Sequence, residues 1–289
     1  MQTIMNVTKI ALTQYACSAD RNLNRDTAEV MVREAAAEAA DLILLPELFD
    51  SLYFCSEMDP AHFSLAEPAD GPAVTRFQKV AKQLNLVLLL PFFEKKAPGL
   101  YFNSLAVIER DGSLAGLYRK MHIPDDPGFY EKYYFTPGDL GFQVFDTSAG
   151  KIGTLICWDQ WFPEAARLTA MKGAELLVYP TAIGTIPDEG EAEKTRFRDA
   201  WRTIQRSHAI ANGCFVASTN RIGNEGSNTF WGGSFVCGPF GELLAEANEE
   251  QEILYSELDW STIEPQRQVW PFFRDRRVDQ FESLTLRYE

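Results

Sequence analysis

The sequence has no apolar run approaching the roughly 20 residues that a membrane-spanning helix needs, and nothing in it reads as a transmembrane segment. Positive charge is scarce: 27 lysines and arginines stand against 41 aspartates and glutamates, a formal charge of −14. Such a chain repels nucleic acid and anionic lipid surfaces and mildly favours cationic ligands. Histidine is limited to positions 62, 122 and 208, and the five cysteines (17, 55, 157, 214 and 237) are odd in number and form no CxxC pair. That pattern offers neither a disulfide framework nor a zinc cluster, so no metal is expected and a reducing compartment is. GxGxxG, Walker-type and HExxH patterns are also missing, which leaves a nucleotide or a catalytic metal without a signature. Residues 1–9 lack a basic segment leading into an apolar stretch and a cleavage site, so no secretion signal is read and a cytoplasmic setting is expected.

What is present is ordinary for a globular chain: 46% hydrophobic and 24% charged residues over 289 positions, enough to bury a large core. Strand-like and helix-like segments alternate. Strands are expected at 7–16, 41–46, 86–93, 101–110, 114–118, 142–146, 151–156, 175–179, 214–219, 229–237, 243–245 and 252–257, with helices at 22–40, 72–85, 163–172 and 194–212. The helix at 72–85 has the clearest apolar stripe, with Val74, Phe77, Val80, Ala81 and Leu84 on one side. Residues 119–141, rich in Pro, Gly, Asp and aromatics, follow neither period, and a loop that long in a compact domain is usually functional. With no linker and no repeat, one layered α/β domain with mixed sheets spans 1–289.

Three apolar segments lead into a reactive side chain: DLILLPE into Glu47, LAGLYRK into Lys120 and KIGTLIC into Cys157. In α/β folds ligands gather beyond the carboxyl ends of strands. At such a place a thiol near backbone N–H groups suits a nucleophile, a carboxylate after an apolar run suits a proton acceptor, and a lysine can face a developing oxyanion. Each residue alone has a plainer explanation: an inert core thiol, a structural glutamate, a surface lysine. Their occurrence together is what points to chemistry.

LLPELF around Glu47, YRKMHIP around Lys120 and ICWDQWFPEAAR around Cys157 resemble the three signature stretches of the nitrilase superfamily of carbon–nitrogen hydrolases, in that family's order, and the resemblance runs from about residue 7 to 277. It implies a four-layer αββα sandwich with two mixed sheets and subunits that pair as a homodimer or a higher homo-oligomer, a tail of about 260–289 reaching a neighbouring subunit. It also implies a Glu47–Lys120–Cys157 triad and no metal or organic cofactor. A further catalytic glutamate of the family matches Glu131 in FYEKYYF, and the backbone N–H of Trp158 would join Lys120 in holding the oxyanion.

The superfamily cleaves nitriles, amides and N-carbamoyl compounds. The stretch Trp158–Trp161 carries no arginine that could hold a substrate carboxylate bidentately, whereas Asp159, Asp125, Asp126 and Glu189 suit a neutral or cationic tail. HIPDDPGFYEKYYFTPGD (122–139), CWDQWFPEAARL (157–168), YPTAIG (179–184) and WPFFRDRR (270–277) are similar to the branch acting on N-carbamoylputrescine. Asp126 and Phe129 stand where that pattern has glycine and tyrosine, and Asp enters glycine's backbone conformations less easily. The expected substrate is therefore a carbamoylated amine, its ammonium meeting Asp125 and the aromatic faces of Trp161, Tyr130 or Phe54. An amidase or an N-carbamoyl amino acid hydrolase is the alternative, and a non-catalytic scaffold would lack a member of the triad. His122 is expected to orient the loop and His208 to be structural.

Overall fold

The computed structural model describes residues 7–288, so the reading of residues 1–9 falls largely outside the described part. The first half of the chain runs β1 (Val7–Gln14), α1 (Arg21–Ala37), β2 (Leu42–Leu44), α2 (Pro72–Leu84), β3 (Val87–Ala97), β4 (Leu100–Ile108) and β5 (Leu114–Arg119). The second half runs β6 (Gln143–Thr147), β7 (Gly150–Thr154), α3 (Pro163–Met171), β8 (Leu176–Thr181), β9 (Gly184–Thr185), α4 (Glu191–Asn212), β10 (Phe215–Asn220), β11 (Ile222–Glu225), β12 (Asn228–Trp231), β13 (Phe235–Cys237), β14 (Leu243–Glu246), β15 (Glu252–Asp259) and α5 (Ile263–Val269).

Two six-stranded mixed sheets result, ordered β15-β1-β2-β3-β4-β5 and β14-β13-β10-β8-β7-β6. The two-residue period of the strands sorts their side chains between layers. Ile10, Leu12, Leu42, Leu44, Val87, Leu89, Leu105 and Val107 point into the core shared with Ile152, Leu176, Val178 and Val216 of the second sheet. Their neighbours Ala11, Ile43, Leu88, Leu90, Ala106 and Ile108 point the other way, onto Ala28, Val32 and Ala35 of α1 and Val74, Phe77 and Ala81 of α2. Ala165 of α3 and Trp201 and Ala209 of α4 close the far side of the second sheet. The four-layer α–β–β–α arrangement expected from the sequence is the one observed.

Two departures have physical reasons. Residues 229–237 are not one strand: Gly232 and Gly233 both take positive φ (62° and 67°), so the chain leaves a small sheet, β11-β12-β9, and enters the second large one as β13. Strand β3 continues to Ala97 because its hairpin with β4 does, while Pro91 falls where β2 has already ended. Among the described residues no helix is long and apolar enough to cross a membrane.

Candidate active site

Lys120 follows the last residue of β5 and is fully buried. Its backbone is held by Asn103 of β4, whose carbonyl accepts from the Lys120 N–H (2.9 Å), and by the N–H of Gly138, which donates to the Lys120 carbonyl (2.8 Å). A Cβ at Gly138 would lie 2.1 Å from the Arg119 oxygen, so only glycine permits that approach. The Lys120 ammonium donates to Glu47 Oε1 (2.8 Å) and to Glu131 Oε2 (2.7 Å), and both carboxylates are buried. A buried lysine ordinarily loses its proton, but here Glu131 and Glu47 outweigh the burial and carry its pKa well above the usual value. Burial drives the Glu131 carboxyl up to about 7 against the pull of Lys120.

Cys157 lies three residues beyond β7, at the start of a tight 3-10 turn covering Cys157–Trp161. It adopts φ +40°, a strained conformation for a side chain with a Cβ. Burial and the charge of Glu47 push its thiol well above the usual range, while Lys120 and the Ala182 backbone N–H pull the other way. The thiol therefore rests protonated, and to act as a nucleophile it would have to give its proton to a base. Of the two oxygens of Glu47, Oε1 is occupied by Lys120 and by Asn103 Nδ2 (2.7 Å), whereas Oε2 is buried with no partner and is free to accept a proton.

Cys157 opens into a cavity of about 410 Å³ lined by Asp126, Phe129, Glu131, Trp158, Trp161, Glu189, Phe197 and Trp231, among others, and, among the described residues, by no lysine, arginine or histidine. Of the residues the sequence nominates, Glu131, Cys157, Trp158 and Trp161 line this cavity, and Glu47 and Lys120 adjoin them through hydrogen bonds. Asp125 and Tyr130 do not line it. Phe129 N–H donates to the Asp126 carbonyl (2.8 Å), and this turn presents Asp126 and Phe129 to the cavity, while Tyr130 N–H is tied to the Cys55 carbonyl (2.8 Å). Asp126 has no positive φ, so the aspartate at that position carries no backbone strain. Phe54 packs instead in an aromatic cluster with Phe93 and Tyr134.

Asp159 is a second correction. It is fully buried and faces away from the cavity, accepting hydrogen bonds from Tyr118 Oη (2.7 Å), the Ile156 N–H (3.0 Å) and the His122 N–H (3.0 Å), with His122 Nδ1 at 2.7 Å. Tyr118 and His122 flank Lys120, and Ile156 precedes Cys157, so this carboxylate clasps the lysine segment to the cysteine turn. His122 also stacks on Phe162, with ring centroids 3.7 Å apart. His208, packed between α4 and the turn with Nε2 2.8 Å from the Gln160 carbonyl, is held neutral by burial.

Phe197 and Trp231 of the cavity wall escaped the sequence reading, as did two partners of the carboxylates. Asn103 sits mid-strand in β4, where an isolated polar residue gives no signal, and Tyr53, in the aromatic stretch after Glu47, donates its hydroxyl to Glu131 Oε1 (2.8 Å). Only the pairing of β4 with β5 reveals the first, since it sets Ser104 opposite Arg119 and so Asn103 beside Lys120. Among the described residues no group of three or more His, Cys, Asp or Glu side chains is placed to hold a metal ion.

A family model described as carbon-nitrogen hydrolase matches residues 9–268. An N-carbamoylputrescine amidase of Arabidopsis thaliana is 46% identical over 95% of this chain and 94% of its own length. A citrullinase of Francisella tularensis subsp. tularensis is 41% identical over 97% of this chain and 99% of its own. Among solved structures, a carbon-nitrogen hydrolase from Helicobacter pylori G27 superposes with a TM-score of 0.96 at 47% identity, covering 98% of this chain and all of that one.

Proposed function

Because the chain belongs to the carbon–nitrogen hydrolase family, we propose that it is a cysteine-dependent amidohydrolase that converts N-carbamoylputrescine and water to putrescine, ammonia and carbon dioxide, a step of polyamine formation in the cytoplasm. The observation that carries this reading is the charge of the cavity: Asp126, Glu131 and Glu189 line it, and among the described residues no cationic side chain does, Lys120 adjoining it only behind Glu47 and Glu131. Citrulline or an N-carbamoyl amino acid would bring a carboxylate into that space with no counter-charge, and such a group is costly to desolvate unpaired. The ammonium of a carbamoylated diamine meets carboxylates and the faces of Trp158 and Trp161 instead.

The chemistry follows from the hydrogen bonds. Glu47 Oε2 takes the Cys157 proton as the sulfur attacks the carbamoyl carbon, and Lys120, held between Glu47 and Glu131, stabilises the oxyanion together with the Trp158 backbone N–H. Glu47 then delivers its proton to the terminal NH2 nitrogen, whose bond to the carbon breaks to release ammonia. Cys157 is left joined to the N-alkylcarbamoyl group, whose carbamic acid, once hydrolysed off, gives putrescine and carbon dioxide. Water, deprotonated by Glu47, attacks that carbon, the thiol leaves with the proton returned, and the carbamic acid loses carbon dioxide.

Ammonia release should be compared on N-carbamoylputrescine, citrulline, N-carbamoyl-β-alanine and a simple aliphatic amide. The diamine derivative is expected to exceed the others in kcat/KM by about 10- to 100-fold, the worth of one or two charge-assisted contacts. D126N/E189Q should lose that advantage through KM with kcat little changed. A preference for citrulline or the β-alanine compound would sink the cationic-tail reading while leaving the hydrolase intact.

The same reading covers assembly. Leu168 and Met171 of α3 are exposed, as are Val269, Trp270, Val278, Leu284 and Leu286 in the segment from about residue 260 onward. Apolar surface of this extent favours coverage, and we assign it to a second copy of this single-domain chain. Sedimentation should give a dimer or larger species, and a monomer at micromolar concentration would refute the assignment.

A further inference from the structure

The hairpin of β11 and β12 carries an ion pair that no catalytic role accounts for. Arg221, immediately before β11, and Glu225, its last residue, are both buried, with Arg221 Nη1 at 3.0 and 2.8 Å from the two Glu225 oxygens. The remaining donors of the arginine are not spent on Glu225. Nη2 donates to the carbonyl of Glu47 (2.6 Å) and to that of Leu48 (3.0 Å), and Nη1 reaches the Ser51 carbonyl (3.1 Å). Leu48 has φ +50°, a conformation a leucine adopts only when its surroundings impose it. The guanidinium fork thus gathers the carbonyls of the strained turn that begins at Glu47.

The glutamate partner reaches the other side of the site. Glu225 Oε2 accepts from the Tyr53 backbone N–H (2.5 Å), and the Tyr53 hydroxyl donates to Glu131 Oε1. Phe230 of β12 packs edge-on against Tyr53, with centroids 5.5 Å apart, and lies under the guanidinium at 5.5 Å. One ion pair therefore reaches Glu47 through the backbone that carries it and Glu131 through Tyr53.

We propose that Arg221 and Glu225 are positioning residues that set the separation of the two carboxylates flanking Lys120. The pair touches no substrate. It acts by fixing where Glu47 Oε2 and Glu131 stand relative to Cys157, a placement on which proton transfer and oxyanion stabilisation depend steeply. The inference rests on the reading of Glu47 and Glu131 as catalytic carboxylates.

Two conservative variants test it. R221K keeps the charge beside Glu225, but its ammonium lacks the planar fork that spans Glu225 and the carbonyls of Glu47, Leu48 and Ser51. E225Q keeps an acceptor for the Tyr53 N–H and loses the charge. In whichever variant retains the parent's circular dichroism and a cooperative melt, kcat should fall at least about 30-fold with KM within threefold, because neither residue lines the cavity and Asp126, Glu189 and the tryptophans that do are left in place. A folded variant with kcat within threefold of the parent, or with the loss appearing in KM, overturns the proposal. If neither variant folds, the pair is structural support and the proposal fails. E47Q, assayed alongside, separates the premises: activity retained in E47Q removes the catalytic reading itself, whereas an inactive E47Q beside an active R221K removes only the positioning.

Discussion

Alanine in place of Cys157 should leave a folded protein whose kcat for ammonia release is at least about 10⁴-fold below the parent, the scale seen when a covalent nucleophile is deleted. No other group around the cavity can replace it. The reactive side chains that adjoin the cavity there are two carboxylates and a lysine, Glu47, Lys120 and Glu131, joined through Lys120 by hydrogen bonds of 2.7–2.8 Å, and none of them is a thiol or a hydroxyl. Alanine tolerates the φ of +40° no worse than cysteine does, and it removes one atom from a position that already faces a cavity, so little stability is at stake. Serine should fail equally, because a hydroxyl in a site whose burial and Glu47 already hold a thiol protonated is harder still to ionise. The check is ammonia release per mole of enzyme beside a thermal melt. Activity above about one hundredth of the parent in a variant with an unchanged melt would mean that another group attacks the substrate.

How much of this site could be read beforehand depends on the kind of signal each residue leaves. Glu47, Lys120 and Cys157 each end an apolar run, and a strand end is visible as a change in local composition. The cavity's charge was legible in sum but not in detail. Asp126 and Glu189 line it, whereas Asp159 and Asp125 do not, because a carboxylate's direction is set by the turn that carries it and by the donors it meets. Tyr130 lost its place to Phe129 for the same reason, a turn spanning residues 126–129. Asn103 and Arg221 left no local trace at all: one reaches the site across a strand pair, the other from 174 residues away in sequence. The alternation of strands and helices followed from periodicity and the four layers from the family resemblance, while the break at Gly232-Gly233 needed the backbone angles that two adjacent glycines allow.

Methionine in place of Lys120 should be the most destabilising substitution in the site, costing about 3–5 kcal/mol at pH 7, because removing one partner of a buried ionic cluster strands the rest. Glu47 and Glu131 would then share a dry site with no cation. Asn103 and Tyr53 still donate to them but carry no charge, so protonation is favoured and their folded pKa values rise above the unfolded carboxylate value near 4.3. The folded state then holds more protons than the unfolded one, and stability falls as pH rises. The contribution is fully present below about pH 4.3 and is lost through the raised folded values, at up to about 1.4 kcal/mol per pH unit for each carboxylate. The parent shows the same sign through Glu131, which sits near 7, so some stability is lost between about pH 4.5 and 7. Lys120, raised in the folded state, adds a contribution that is constant across that window and is lost only as pH climbs from its unfolded value near 10.4 through its higher folded value. Melting temperatures for parent and K120M between pH 5 and 8 provide the measurement. The K120M curve should fall more steeply and keep falling above pH 7, with kcat reduced at least about 10³-fold at every pH for want of a charge on the oxyanion. Parallel curves would show that Lys120 does not hold the two carboxylates ionised together, and the charge assignment that underlies the whole mechanism would have to be redrawn.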